Sequence, residues 1–83
     1  MAMIDLFLTK ESCLLEWCRK RRVFNKADVI RWGLENYYIR AERTIREFVE
    51  EGNIRRLGPR ECEIRNLTGK IAWYEYVIER DTE

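Results

Sequence analysis

The chain contains no histidine. That removes the side chain most used for acid–base chemistry near neutral pH and the commonest metal ligand, so hydrolase triads and ordinary metal sites lack their usual residue. Cysteine is sparse. Cys13, Cys18 and Cys62 form no Cys-x-x-Cys pair, and an odd number leaves one thiol over in any intramolecular disulfide scheme. A reducing, cytoplasmic setting is expected, with the three thiols as small buried hydrophobes. Long apolar runs are missing too. The opening MAMIDLFLT is broken by Asp5 and has no basic leader, so it reads as neither a secretion signal nor a membrane span. None of the four glycines lies in a phosphate-binding loop, no nucleophile elbow occurs, and Asp5, Asp28 and Asp81 stand in unrelated contexts. Neither enzyme activity nor a cofactor nor a bound metal is expected.

What is present suits one small folded domain spanning residues 1–83, since 46% of the residues are hydrophobic and three Trp, four Tyr and three Phe accompany 37% charge. The net charge of +1 says nothing about partners, but its layout does. From Arg19 to Arg46 nine basic residues face three acidic ones, whereas acids gather at Glu47–Glu51 and toward the C-terminus. Such polarity steers an anion to one face even when the total is near zero.

The spacing predicts a first helix from Lys10 to about Arg21, capped by Thr9, with Leu14, Leu15, Trp17 and Cys18 on its apolar side. A second starts after Asn25, with Asp28 placed for a capping box and Phe24 and Val29 for a hydrophobic staple. Its buried stripe is expected to be Ala27, Ile30, Gly33 and Leu34, which leaves Trp32 at the edge of the polar side. An exposed Trp there points to a protein interface. A third helix runs from about Arg40 to Glu51 with Gly52 as its left-handed terminator; Ala41, Ile45, Phe48 and Val49 share one face, and Arg43, Arg46 and Glu50 the other. Then the period falls to two. Ile54–Leu57 reads as a short strand, Gly58-Pro59 as a break, and 61–66 and 71–78 as a hairpin around Leu67-Thr68-Gly69-Lys70, with Cys62, Ile64, Ile71 and Trp73 turned to the helices.

In this order of elements, Glu42-Arg43-Thr44-Ile45-Arg46 and Glu50-Glu51-Gly52-Asn53-Ile54 resemble the recognition helix and first strand of bacterial and phage winged helix-turn-helix regulators. Glu63 to Lys70, followed by Trp73-Tyr74-Glu75-Tyr76, resembles the wing of small phage-encoded helix-turn-helix proteins. The resemblance covers roughly residues 10–78. It implies an α+β winged helix: an N-terminal arm over 1–9, a three-helix core over 10–52, and a strand and antiparallel wing hairpin over 53–78. The implied partner is double-stranded DNA, and the implied role is transcriptional regulation or assistance in recombination. In that family the third helix enters the major groove and the wing reaches neighbouring backbone. Carried over, Arg40, Arg43 and Arg46 approach the groove, Tyr37 and Tyr38 donate to phosphate near the helix start, and Arg65 and Lys70 belong to the wing. Ala41 stands where the family often has a capping Ser, and Tyr37-Tyr38 replaces the usual Leu-Gly-Val type turn.

Two readings of these charges stand side by side. Glu42 precedes Arg46 by four residues, Arg43 precedes Glu47 and Arg46 precedes Glu50, the spacing of ordinary ion pairs on a solvated helix, each worth about 0.2–0.5 kcal/mol. The run Arg19-Lys20-Arg21-Arg22 either stabilises a helix C-terminus or contacts a nucleic-acid backbone. A homodimer is expected, with Met3–Leu8 either pairing two chains or padding the core. The alternative to DNA binding is a winged-helix protein-interaction module using Trp32, Tyr74 and Tyr76.

Overall fold

The computed structural model describes residues 9–78. These form an α+β fold: α1 (Lys10–Arg21), β1 (Val23–Asn25), α2 (Lys26–Glu35), α3 (Ala41–Glu51), β2 (Ile54–Arg56), α4 (Pro59–Ile64) and β3 (Trp73–Tyr76). The sheet runs β1-β3-β2 and both pairings are antiparallel.

Local chemistry sets the helix limits. Thr9 accepts from the Ser12 N–H at 3.0 Å and opens α1. Asn25 and Asp28 form a reciprocal capping box, with bonds of 2.8 and 3.1 Å, and open α2. Gly52, at φ 89°, ends α3 in the left-handed region that glycine tolerates best. The core lies between the helices and one face of the sheet, with Leu14, Cys18, Phe24, Val29, Ile45 and Ile54 almost wholly buried. Phe24 is its hub. Its ring lies 5.2 Å from that of Trp17 and stacks 5.8 Å from that of Tyr74. Phe24→Ala is therefore expected to cost about 3–5 kcal/mol.

Of the three thiols expected to be buried only Cys18 is, since Cys13 is exposed and Cys62 half-buried. The elements depart from the sequence expectation in three places. The first concerns the hairpin: Glu61–Ile64 belongs to α4 and not to a strand, so the connection from β2 to β3 is long and contains a helical turn. Pro59 occupies the first helical turn, and Glu61 accepts from the Gly58 N–H at 3.3 Å. That start signal outweighs the alternation that follows it. β3 pairs instead with β2 and with β1, a three-residue strand whose last residue, Asn25, is also the first of the capping box.

The second is the facing of β3. Tyr74 stands opposite both Phe24 and Arg56, and Tyr76 opposite Ile54, so these share the helix-facing side. Trp73 and Glu75 lie on the other side. Trp73 donates its indole N–H to the Thr68 carbonyl at 3.2 Å. The third is the rotation of α2: Val29, Trp32 and Gly33 are buried, whereas Ala27, Ile30 and Leu34 are exposed. Trp32 packs against Trp17 and meets Tyr38 edge-on. Aromatic partners from α1 and the α2–α3 turn outcompete the aliphatic stripe, because a buried Trp removes more apolar surface than an Ile or Leu. The expectations for Met3–Leu8 lie outside the described residues. Among those residues, no helix is long and apolar enough to cross a membrane.

Candidate nucleic-acid interface

α3 has the strongest segregation of apolar and charged residues. Ala41, Thr44, Ile45 and Phe48 are buried and Val49 is half-buried, which turns Arg43, Arg46, Glu47 and Glu50 to solvent. None of the three ion pairs suggested by the four-residue spacings forms. Glu42 reaches across to Lys26 at 3.0 Å instead. Among the described residues, Arg40, Arg43 and Arg46 make no ion pair and no side-chain hydrogen bond. No side chain caps the front of α3, so the positive end of its dipole adds to Arg40 there.

Beside α3 the tertiary structure assembles a cleft of about 490 Å³. Lys26 from the start of α2, Arg46 from α3, Arg56 from β2 and Lys70 from the β2–β3 connection line it, with Glu42 as the single acid and Tyr74 among its lining residues. Arg56 enters because strand side chains alternate. Ile54 is buried against the helices, and Arg56, two residues on, lies on the same face at the sheet's rim. Arg55 points the other way. It bonds Glu61 at 3.1 Å and Glu75 at 3.2 Å on the outer face. Arg56, like Lys70, has no carboxylate partner among the described residues.

Of the residues singled out from the sequence, Arg46 and Lys70 meet in this cleft, and Arg40 and Arg43 lie exposed on and before α3. Tyr37 is 92% exposed. Its φ of 55° is a left-handed conformation that costs a non-glycine residue about 1–2 kcal/mol. Tyr38 differs from its neighbour: half-buried, its hydroxyl shares a 2.7 Å hydrogen bond with that of Thr44. Arg65 is not in the cleft. It joins Arg55, Glu61 and Glu75 in a network, reaching Glu75 at 3.2 Å. Burial pushes the Glu75 carboxyl up, but the bonds and charges of Arg65 and Arg55 outweigh it and hold it below the usual carboxylate range. Glu61 is lowered as well, chiefly by its hydrogen bond to Arg55.

The basic run after Glu16 is dispersed. Arg19 pairs with Glu16, and Arg21 lies 5.6 Å from the Trp17 ring centre and 3.5 Å from Asp28. Trp32 and Tyr74, two of the three aromatics that a protein-interaction module was expected to use, are 7% and 8% exposed. Sequence reasoning missed Lys26 and Arg56 as site residues. Arg56 was reachable by alternation from Ile54, but Lys26 becomes a site residue only once α2 is docked against α3. Comparison with protein-family models, curated proteins and solved structures finds no match to this chain.

Proposed function

We propose that the chain is a winged helix-turn-helix protein that binds double-stranded DNA, with α3 in the major groove and the β2–β3 connection as its wing. The observation that carries this reading is the convergence of Lys26, Arg46, Arg56 and Lys70, from four separate elements, on one cleft beside the exposed arginines of α3. The helix order and the β1-β3-β2 antiparallel sheet are compatible with a winged helix. The resemblance of Glu42–Arg46 and Glu50–Ile54 to phage regulators favours transcriptional regulation or assistance in recombination.

In this reading Arg43 and Arg46 supply base contacts, since the planar guanidinium fork matches guanine O6 and N7. Arg40, Lys26, Arg56 and Lys70 hold phosphates and set the register. The Lys26–Glu42 pair is half exposed and worth about 0–1 kcal/mol, so a phosphate replaces Glu42 at little cost. Glu47, Glu50 and Glu51 repel phosphate from the far end of α3, which restricts approach to its first two turns. Arg65, engaged with Glu75 on the outer face, has no DNA contact in this reading.

The test is binding of the full chain to duplex DNA, with Arg43→Ala and Arg46→Ala beside the parent. Loss of at least about tenfold in affinity for each is expected, within the range of a bidentate base contact. Unchanged binding in both variants overturns groove entry by α3.

A further inference from the structure

The outward face of α2 has no partner among the described residues. Ile30 is 42% exposed and Leu34 71%, and the turn beyond adds Ile39 at 93%. Ile30, Leu34 and Ile39, with the small residues Gly33 and Ala41, line a hollow of about 190 Å³ bounded on one side by Glu42. A contiguous apolar patch with a pocket inside it marks an interaction surface.

The charges beside the patch say what fits it. On the α2 wheel Arg31 and Glu35 lie one turn apart on the same flank of the Ile30–Leu34 stripe, both exposed. Arg31 also holds Asp28 of its own chain at 3.4 Å, an exposed and long contact that leaves its remaining N–H groups to reach a partner's carboxylate. A two-fold axis across that stripe sets α2 antiparallel to α2 of a second molecule. Ile30 then meets the partner's Leu34, and Arg31 meets the partner's Glu35, each contact occurring twice. Isologous pairing demands such self-complementarity, because one patch must satisfy itself. Two like charges on that flank would repel instead.

We propose that two copies of this chain pair through α2, seating Leu34 and Ile39 around the hollow. The inference does not rest on the DNA reading. The small patch implies a weak dimer.

Sedimentation velocity of the full chain over a concentration series tests it. A reversible monomer–dimer equilibrium is expected, and Leu34→Glu and Ile39→Glu each weaken it by at least about tenfold. Both side chains are exposed, so an unchanged far-UV circular dichroism spectrum is expected for each. Arg31→Glu alone and Glu35→Arg alone also weaken pairing, and the double swap R31E/E35R restores it. A chain that stays monomeric throughout overturns the proposal. So does a dimer indifferent to both glutamate substitutions, which would put the contact elsewhere, for instance in Met3–Leu8. Failure of the double swap to restore pairing overturns the antiparallel arrangement.

Discussion

Arg55 and Arg56 are neighbours in sequence with opposite prospects, and replacing each by alanine separates the proposed interface from mere positive charge. Arg56 faces the cleft and has no carboxylate partner among the described residues, whereas Arg55 is bound to Glu61 and Glu75 on the outer face. Each phosphate neutralised contributes about −0.9 to the slope of log affinity against log salt, through release of condensed counterions. If the four phosphate-holding residues Arg40, Lys26, Arg56 and Lys70 all serve, the slope is about −3.6, and affinity falls about 150-fold between ~50 and ~200 mM salt. Arg56→Ala brings the slope to about −2.7 and the fall to about 40-fold. Arg55→Ala leaves the slope where it was and costs at most about 1 kcal/mol of stability, as expected of an exposed ion-pair network. Fluorescence anisotropy with a labelled duplex at five or six salt concentrations measures both. Equal slopes for the two variants, or a change for Arg55→Ala alone, would refute the assignment of Arg56 to the DNA face.

Three further outcomes follow from the same geometry. A Cβ on Gly33 would stand 2.6 Å from the Tyr38 carbonyl oxygen and 3.0 Å from Ala41 Cβ, so Gly33→Ala forces α2 off the turn before α3. Overpacking of about 1–3 kcal/mol meets a helix-propensity gain of about 1, and a thermal midpoint lowered by several degrees is expected, against a rise if the space can open. Burial raises the Cys18 thiol to about 12, while Cys13 is exposed, so a thiol reagent at neutral pH should label Cys13 in the native protein and Cys18 only on unfolding. Glu75 is held below its ordinary value in the folded chain alone, so as pH falls the unfolded chain takes up the proton first. Stability should be full above about 4.5 and decline below it, and Glu75→Gln should flatten that decline in denaturant titrations.

Most of the helical framework was legible in the sequence, and the reason is locality. Thr9, the Asn25–Asp28 box and Gly52 act on backbone groups within four residues, so their effect needs no tertiary partner. The apolar face of α3 was readable for a similar reason, because its charges and hydrophobes are separated cleanly around the helix. Gly58-Pro59 with Glu61 carried a helix-start signal of the same local kind, but the alternation after it favoured a strand.

What only the tertiary structure decided is which of several apolar faces was buried and which distant cations met. α2 offered an aliphatic stripe and a tryptophan, and Trp17 and Tyr38 settled the choice for Trp32 and left Ile30 and Leu34 outside. β3 could turn either face inward, and pairing of Tyr74 with Phe24 across β1 decided it. That same pairing sends Arg56 into the cleft and Arg55 away from it. Side-chain alternation is a property of one strand, but which parity faces the helices is set by partners far along the chain. The cleft therefore exists only in three dimensions, although every residue lining it is plain in the sequence.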